Sequence, residues 1–219
     1  MTAVAIALSM NDTIARRDED LHSADREIAA RCVAGDATAF GHLYTRHRQS
    51  VYAIIARMIV GDADREELLQ DVFVQVHLSL GSFRGDSKLS TWIHRIAVNV
   101  TLQHIRRKGR RVRLQLRDET PAEDLAAATG AAATSPEDEL SARDRSAAVE
   151  RALSTLTPKK RIVLVLSDFE GRSSQEISEI VGASSLTVRT RLFYARKGFY
   201  RAISKDPAFA DLAIKEVPR

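Results

Sequence analysis

Residues 174–192, SQEISEIVGASSLTVRTRL, carry the clearest structural pattern in this 219-residue chain. Apolar residues recur three and four positions apart on both sides of a glycine, which predicts two short helices joined by a tight turn. Gly182 lies at that turn, where a positive φ strains any other residue. The contact between the two helices would come from Ile177, Val181, Val188 and Leu192. The stretch therefore predicts a helix-turn-helix, whose second helix enters the major groove of DNA.

The second of these helices has two contrasting faces. At 100° per residue, Val188, Leu192 and Ala195 fall on one stripe, which is expected to face the core. The opposite stripe places aromatic side chains beside basic and polar ones, and this arrangement suits base edges and phosphates better than water. The residues expected to contact DNA, two of them at the start of the first helix, are Arg172, Ser174, Thr187, Arg189, Thr190, Phe193, Tyr194 and Lys197.

The first half of the chain predicts a second helical unit. Helical periodicity covers residues 26–34, 37–60, 64–80 and 90–107. Asp36 and Ser90 are the expected N-caps of the second and fourth helices, because their oxygens can accept the free amide protons of a first turn. In the third helix the apolar stripe consists of Leu69, Val72, Phe73, Val76 and Leu80. This stripe predicts the core of the unit.

The outward faces of the third and fourth helices differ in chemistry. The third combines carboxylates with exposed Val74 and Leu78, which suits a basic partner helix, although a mildly apolar solvated face would look the same. The fourth presents Thr91, Arg95, Asn99, Gln103 and Arg106, the charged and amide groups that unpaired DNA requires. Trp92 lies at the boundary of this face, where its ring would either stack on a DNA base or anchor the helix in the core. The preceding loop, 81–88, lacks Walker spacing and is either a base-capturing loop or a plain connector.

These elements predict an all-α protein of two small helical domains joined by a flexible linker. The linker has too little apolar content to offset its ordering entropy. The predicted boundaries are a disordered leader at 1–25, the first domain at 26–108, the linker at 109–141, the second domain at 142–205 and a tail at 206–219.

Charge and cysteine content narrow the class of protein further. The net charge is +4, but basic residues concentrate at 106–117 and at 189–201, which predicts contact with a polyanion at two places. A solvated face would explain either cluster taken alone. The single Cys32 excludes an internal disulfide and fits a reducing cytoplasm. The apolar residues 3–8 are too few to span a bilayer, so no membrane insertion is expected.

Several segments together resemble a known family. ELLQDVFVQVH at 67–77, FRG at 83–85 and LSTWIHRIAVN at 89–99 resemble region 2 of the sigma-70 family of RNA polymerase sigma factors. RAL at 151–153, LTP at 156–158, FEG at 169–171 and the helix-turn-helix resemble region 4. Region 2 joined directly to region 4 is the layout of the extracytoplasmic-function (ECF) group. The resemblance departs from the family at Leu89 and Val98, where Phe and Arg are frequent.

The resemblance implies a transcription initiation factor that binds core RNA polymerase, recognises promoter −10 and −35 elements, and promotes melting. It places polymerase contacts, on the β′ clamp helices and the β subunit, at Asp64, Glu67, Leu68, Gln70, Asp71, Val74, Gln75 and Leu78. It places −10 contacts at Phe83, Lys88, Thr91, Trp92, Arg95, Asn99, Gln103 and Arg106, and −35 contacts on the helix-turn-helix residues named above. It also implies an anti-sigma partner and a cytoplasmic location, at the nucleoid when the protein is active.

Two other classes of protein remain to be weighed. A stand-alone helix-turn-helix regulator would bind a twofold operator as a dimer, but no dimerisation helix is evident in the sequence. An enzyme would need a catalytic or metal-binding constellation, and no HExxH spacing, nucleophile elbow or phosphate loop occurs. We therefore expect no catalytic residues, no metal site and no cofactor.

Overall fold

The computed structural model describes residues 23–59, 64–118 and 136–209 of the chain. Within these ranges the backbone forms helices, turns and short connecting segments, without a strand, which confirms the predicted all-α class. The predicted leader up to residue 22, the central part of the linker and the end of the tail lie outside the described residues.

Four helices form the first bundle: α1 at residues 23–33, α2 at Ala37–Met58, α3 at Arg65–Ser79 and α4 at Leu89–Asp118. The Asp36 side chain accepts from the Ala39 amide at 3.0 Å, which confirms the predicted N-cap of α2. The prediction for Ser90 is wrong, because α4 already begins at Leu89. The Leu89 amide donates instead to the Asp25 carboxylate at 2.7 Å, so a residue distant in sequence caps this helix.

The second bundle follows as α5 at Pro136–Ser154, α6 at Pro158–Leu164, α7 at Ser174–Val181 and α8 at Ser185–Ile203, with a π-helical segment at Val165–Phe169 and a 3₁₀ turn at Pro207–Phe209. Thr157 precedes α6 as its N-cap, and Pro158 stands in the first turn, where its missing amide proton is not needed. Gly182 ends α7 with φ 62°, which confirms the turn glycine.

The ends of the predicted linker are helical. α4 continues to Asp118 and α5 begins at Pro136, so both helices extend into the range predicted as linker, 109–141. α1 begins at residue 23, within the range predicted as leader, 1–25. Long side chains without a branch at Cβ, such as Arg, Leu and Gln, favour helix, and the sequence prediction gave that propensity too little weight.

The two bundles are packed against each other. The predicted stripe of α3 is buried in the core of the first bundle, and Val188, Leu192 and Ala195 of α8 are buried in the core of the second. That second core also includes Ile54, Met58 and Val98 of the first bundle. α7 lies along α4, and α2 contacts α5, α6 and the π-helical segment. The sequence analysis expected two domains separated by a linker. The bundles are instead in contact, because these three apolar residues lie off the core stripe of the first bundle and are covered by the second bundle.

Candidate nucleic-acid interface

The outer face of α8 is exposed and aromatic, as predicted. Leu186, Phe193 and Tyr194 are 75%, 50% and 52% exposed, and Arg189, Thr190 and Lys197 are also exposed. The rings of Phe193 and Tyr194 meet edge to face with their centroids 5.3 Å apart. Because the opposite stripe of α8 is buried, this face is held rigidly toward the outside. It offers cations, hydroxyls and apolar ring edges, the groups that contact phosphates, base edges and thymine methyls.

The first turn of α8 is closed by its own side chains. Ser184 is the N-cap, and its Oγ accepts from the Thr187 amide at 3.2 Å. The two hydroxyls of Ser184 and Thr187 also lie within hydrogen-bond distance, at 2.8 Å. Thr187 is half-buried and bound to the helix start. Arg189 and Thr190 are exposed, and the Thr190 hydroxyl donates to the Leu186 carbonyl at 3.0 Å.

The start of α7 does not have the open arrangement that was expected. Ser173 is the N-cap and forms a capping box with Glu176, and Ser174 is the first residue of the helix. Arg172 lies within bonding distance of Glu176 Oε1, at 3.2 Å, and of His94 Nδ1 on α4, at 3.3 Å. Burial lowers the pKa of His94 to about 3, helped by the nearby charges of Arg172 and His47. His94 is therefore a neutral buried side chain, and Arg172 faces the first bundle instead of the solvent.

The outward face of α4 is basic and polar. Arg95, Asn99, Gln103 and Arg106 are exposed on this face, and Lys88 is exposed just before the helix. Thr91, which was expected there, is buried, so it does not belong to this face as the structure stands. On the helical wheel it falls about 100° from Trp92, toward the side that α7 covers.

Trp92 and the loop before α4 are anchored to the first bundle. Trp92 is half-buried and packs edge to face against Phe83 with the centroids 5.6 Å apart. Gly85 has φ 77°, and a Cβ there would come within 2.7 Å of the Arg26 side chain on α1. Together with the Asp25 cap, these contacts hold the loop close to α1. A half-buried Trp in such contacts is typical of a core anchor at a helix boundary.

The outward face of α3 is acidic with exposed apolar side chains. Glu67, Gln70, Asp71 and Gln75 are exposed, and Val74 and Leu78 are 58% and 73% exposed. Large exposed aliphatic groups flanked by carboxylates favour a partner that is apolar at its centre and basic at its rim.

Two residues expected on that face lie elsewhere. Leu68 is buried in the core of the first bundle, so its assignment to the partner face is wrong. Asp64 lies at the start of α3 and bonds Lys108 of α4 at 2.9 Å, with His104 at 3.3 Å. The hydrogen bond from Lys108 lowers the pKa of Asp64. Its carboxylate is therefore occupied in joining α3 to α4.

Sequence reasoning did not predict that four arginines connect the two bundles. They are here called the bridging arginines: Arg57, Arg65, Arg161 and Arg172. Arg57 bonds Glu170 at 3.1 Å and lies over the Phe169 ring, 4.8 Å from its centroid. Arg65 bonds Glu150 at 3.2 Å. The only hint in the sequence is that Arg161 directly precedes a run of five apolar residues, 162–166, where a charged side chain needs buried acceptors.

Arg161, like Arg65, is a buried side chain. It donates to three backbone carbonyls: Met58 of α2 at 2.8 Å, Ser154 at 2.9 Å and Leu156 at 3.2 Å. The Met58 carbonyl belongs to the last turn of α2, where carbonyls lack helical partners. Burial lowers the pKa of Arg161. One guanidinium thus joins the end of α2 to the turn between α5 and α6.

Among the residues that the structure describes, no helix is long and apolar enough to cross a bilayer. The same residues contain no group of three or more His, Cys, Asp or Glu side chains placed to hold a metal ion.

The helix-turn-helix has an aromatic and basic outer face. The first bundle adds a basic, polar face on α4 and a face on α3 that combines acidic and apolar side chains. Together these faces indicate a DNA-binding transcription factor with a protein partner. Comparison with protein families makes the class specific. Residues 43–111 match the model of Sigma-70 region 2, and residues 146–197 match the model of Sigma-70, region 4. The chain belongs to the sigma-70 family, in its ECF group, and is a non-enzymatic factor that directs promoter-specific transcription initiation by RNA polymerase.

Related proteins match over most of their length. The RNA polymerase sigma-H factor of Pseudomonas aeruginosa is 30% identical, over 82% of this chain and 93% of its own. The ECF RNA polymerase sigma factor SigM of Mycobacterium tuberculosis H37Rv is 31% identical over 82% and 84%. The ECF RNA polymerase sigma-E factor of Escherichia coli K12 is 31% identical over 79% and 91%.

Two solved structures share the fold. CnrH, in complex with the cytosolic domain of CnrY, superposes with a TM-score of 0.62 at 24% identity, over 84% of this chain and 99% of its own. The sigma factor RpoE of Bartonella quintana, crystallised with the anti-sigma factor NepR, has a TM-score of 0.59 at 21% identity, over 76% and 98%.

Proposed function

We propose that three separate faces divide the work of this sigma factor. The outer face of α8 recognises the −35 element, the polar face of α4 with its preceding loop binds and helps to melt the −10 element, and the outward face of α3 docks on the β′ clamp helices of core polymerase. The domains we assign are a region 2 domain at 26–108 and a region 4 domain at 142–205. The observation that carries the proposal is the pair of exposed rings, Phe193 and Tyr194, beside Arg189 on a rigidly held helix.

The −35 assignment is tested by transcription in vitro. The full-length protein and core polymerase would be given a library of promoters randomised at both elements, and transcripts would be sequenced. Replacing Arg189 with Ala should relax preference at one −35 position by about tenfold, since a good bidentate contact gives ~1–3 kcal/mol of discrimination. Replacing Lys197 with Ala should weaken all promoters alike, as expected for a phosphate contact. An equal loss at every promoter for the Arg189 variant would contradict the base contact.

The −10 assignment rests on Arg95, Asn99, Gln103 and Arg106, which share the exposed face of α4. Arginine side chains can contact the phosphates of a DNA strand, and planar amides can contact bases that become unstacked as the duplex opens. The double variant N99A/Q103A should reduce permanganate-reactive thymines in the −10 region while leaving −35 preference unchanged. Unaltered melting would refute this role for α4.

The polymerase face offers a matched pair of valines. Val74 on α3 is 58% exposed and Val33 on α1 is 59% exposed, so an aspartate at either site should disturb folding equally little. Val74→Asp should weaken binding to core polymerase at least tenfold, because it buries a carboxylate in the apolar centre of the interface. Val33→Asp should bind as the wild type does. Equal affinities for the two variants would remove α3 from the interface.

A regulatory partner is the second element of the proposal. Two proteins with this fold were crystallised with other chains, CnrH with the cytosolic domain of CnrY and RpoE with an anti-sigma factor. An anti-sigma protein for this chain would act in the cytoplasm, and release would allow the factor to join polymerase at the nucleoid. A candidate partner should abolish transcription in vitro when added before core polymerase. A binder that leaves transcription intact would not be that partner.

A further inference from the structure

We propose that the C-terminal half of α4 binds the phosphates of double-stranded DNA beside the −10 element, on the side of the −35 element, without reading its sequence. The binding surface is a row of arginines along the helix, here called the arginine stripe: Arg106, Arg110, Arg113 and Arg117. This inference rests on the proposed −10 face of α4 and extends it to a further stretch of the promoter.

The arginine stripe continues the −10 face of α4 in register. α4 is one helix from Leu89 to Asp118, and successive residues of an α-helix are turned by about 100°. On that wheel, positions 106, 110, 113 and 117 fall within about 60° of one another, on the side that carries Arg95 and Asn99. A duplex that follows the −10 face along the helix therefore passes the arginine stripe as well.

The charge of this part of α4 is not neutralised within its own helix. The helix contains no Asp or Glu before its last residue, Asp118. Residues 106–110 are exposed, and no carboxylate among the side chains that the structure describes bonds to an arginine of this segment. Other exposed arginines do pair, as Arg151 does with Asp206 at 2.8 Å. Solvated surface helices usually alternate charges of opposite sign, so repulsion between arginines one turn apart favours an anionic partner here.

The first part of the stripe borders open space. Gln103, Arg106 and Arg110 line a cleft of about 670 Å³ that reaches Pro158 at the start of α6. Arg106 Nε donates to the Leu102 carbonyl of its own helix at 3.1 Å. This bond fixes the side chain against the helix and leaves both terminal guanidinium nitrogens available to a phosphate.

The composition of the stripe favours a duplex over a single strand. Proteins that hold single strands combine cations with aromatic rings on which the bases stack. Residues 103–118 contain no Phe, Tyr or Trp, whereas the N-terminal end of α4 has Trp92. Cations without stacking rings contact the sugar-phosphate backbone, which positions a protein and carries no sequence information. We therefore expect melted bases near the start of α4 and paired DNA near its end.

The direction of α4 indicates which paired DNA the stripe meets. The chain leaves the end of α4 and continues to the second bundle, whose α8 is assigned to the −35 element. The end of α4 is therefore expected to lie on the −35 side of the −10 element, over the spacer. From Arg106 to Arg117 the stripe is roughly 17 Å long at about 1.5 Å per residue, which matches about five base pairs of B-DNA.

The salt dependence of promoter binding tests the stripe. Full-length factor, assembled with core polymerase, would bind a labelled promoter over a range of KCl concentrations. R110A/R113A removes two stripe arginines, and the matched control R107A/R111A removes the same charge from the same turns, about 110° away on the wheel. Alanine favours helix at all four positions, so neither variant should disturb α4.

The two variants should differ in slope. Each phosphate contact contributes about 0.9 to the slope of log K against log salt concentration, so R110A/R113A should lower the slope by about 1.8. R107A/R111A should keep the wild-type slope, and neither variant should alter base preference at the −10 or −35 element. Equal slopes for the two variants would overturn the proposal, because charge alone or nothing at all would then explain the result.

A second measurement locates the contact on the DNA. Promoters would carry uncharged methylphosphonates either at the five base pairs beside the −10 element or at the five beside the −35 element, both within the spacer. The wild type should lose affinity for the first DNA, and R110A/R113A should lose much less, because its contact is already absent. A wild-type loss that is equal for the two DNAs, or an equal loss for R110A/R113A, would contradict the placement of the stripe.

Failure of this inference and failure of the proposed function give different results. If N99A/Q103A leaves melting unaltered, the −10 face is wrong whatever the salt slopes are. If N99A/Q103A reduces melting but R110A/R113A keeps the wild-type slope, the −10 face stands and the arginine stripe is wrong. A loss of affinity of R110A/R113A for core polymerase without DNA would show that the stripe contacts the enzyme instead, which would also overturn the proposal.

Discussion

Replacing Arg161 with Met tests how far a single buried guanidinium stabilises this fold. Arg161 is buried and donates to three carbonyls at 2.8, 2.9 and 3.2 Å, two of them in the α5–α6 turn and one at the end of α2. Hydrogen bonds to a charged group contribute about 1.5–3 kcal/mol each. Against this stands the desolvation of the guanidinium, several kcal/mol, which methionine relieves. We therefore expect a net loss of roughly 2–4 kcal/mol.

The assay is urea unfolding followed by far-UV circular dichroism, with Arg161→Met compared with Arg189→Met. Arg189 is exposed on α8, so its replacement should change the free energy of unfolding by less than about 0.5 kcal/mol. Arg161→Lys should fall between the wild type and Arg161→Met, because an ammonium keeps the charge but cannot reach three divergent carbonyls. If Arg161→Met unfolds within about 0.5 kcal/mol of the wild type, desolvation cancels the three bonds and the structural role given to Arg161 is wrong.

Three further predictions follow from single residues. Gly182→Ala should lower the free energy of unfolding by about 1 kcal/mol, because φ is 62° and an added Cβ would meet nothing within 4 Å that could compensate for the strain. The control Gly41→Ala, within α2, should be neutral or stabilising. Equal melting temperatures of the two variants would contradict this prediction. Burial lowers the pKa of His94 from 6.5 to about 3, so between these values the unfolded chain binds a proton that the folded chain does not. Stability should therefore fall as the pH drops below 6.5, by up to about 1.4 kcal/mol per unit, and His94→Asn should show a weaker pH dependence in urea midpoints. Burial raises the pKa of the Cys32 thiol, so native protein should react with a thiol reagent much more slowly than urea-unfolded protein, and comparable rates would show that α1 opens readily.

The sequence predicted which side chains of α8 are buried and which are exposed, because the relevant signals are local. The stripe of Val188, Leu192 and Ala195 follows from a period of 3.6 residues, and it leaves Phe193 and Tyr194 outside whatever the rest of the chain does. Gly182 is placed by backbone geometry alone. These features depend on neighbours within two helical turns.

The errors have one physical cause. Leu68 and Thr91 lie between the clearly inward and clearly outward stripes of their helices, so their burial depends on what packs beside them. The N-cap of α4 comes from Asp25, far away in the sequence. Arg172 was expected to face DNA but lies against His94 of the other bundle. A local sequence pattern does not show which residue from a distant part of the chain will pack beside a given side chain.

The sequence by itself thus determined the helices, their inward stripes, the turn at Gly182 and the chemistry of the three outer faces, because each depends on a residue and its near neighbours along one helix. Only the tertiary structure decided that the two bundles lie together, that Ile54, Met58 and Val98 serve the second core, and that Arg161 spans both. The reason is that association of the bundles depends on the sum of small contacts between distant segments, and shape complementarity of that kind exists only once both surfaces have folded.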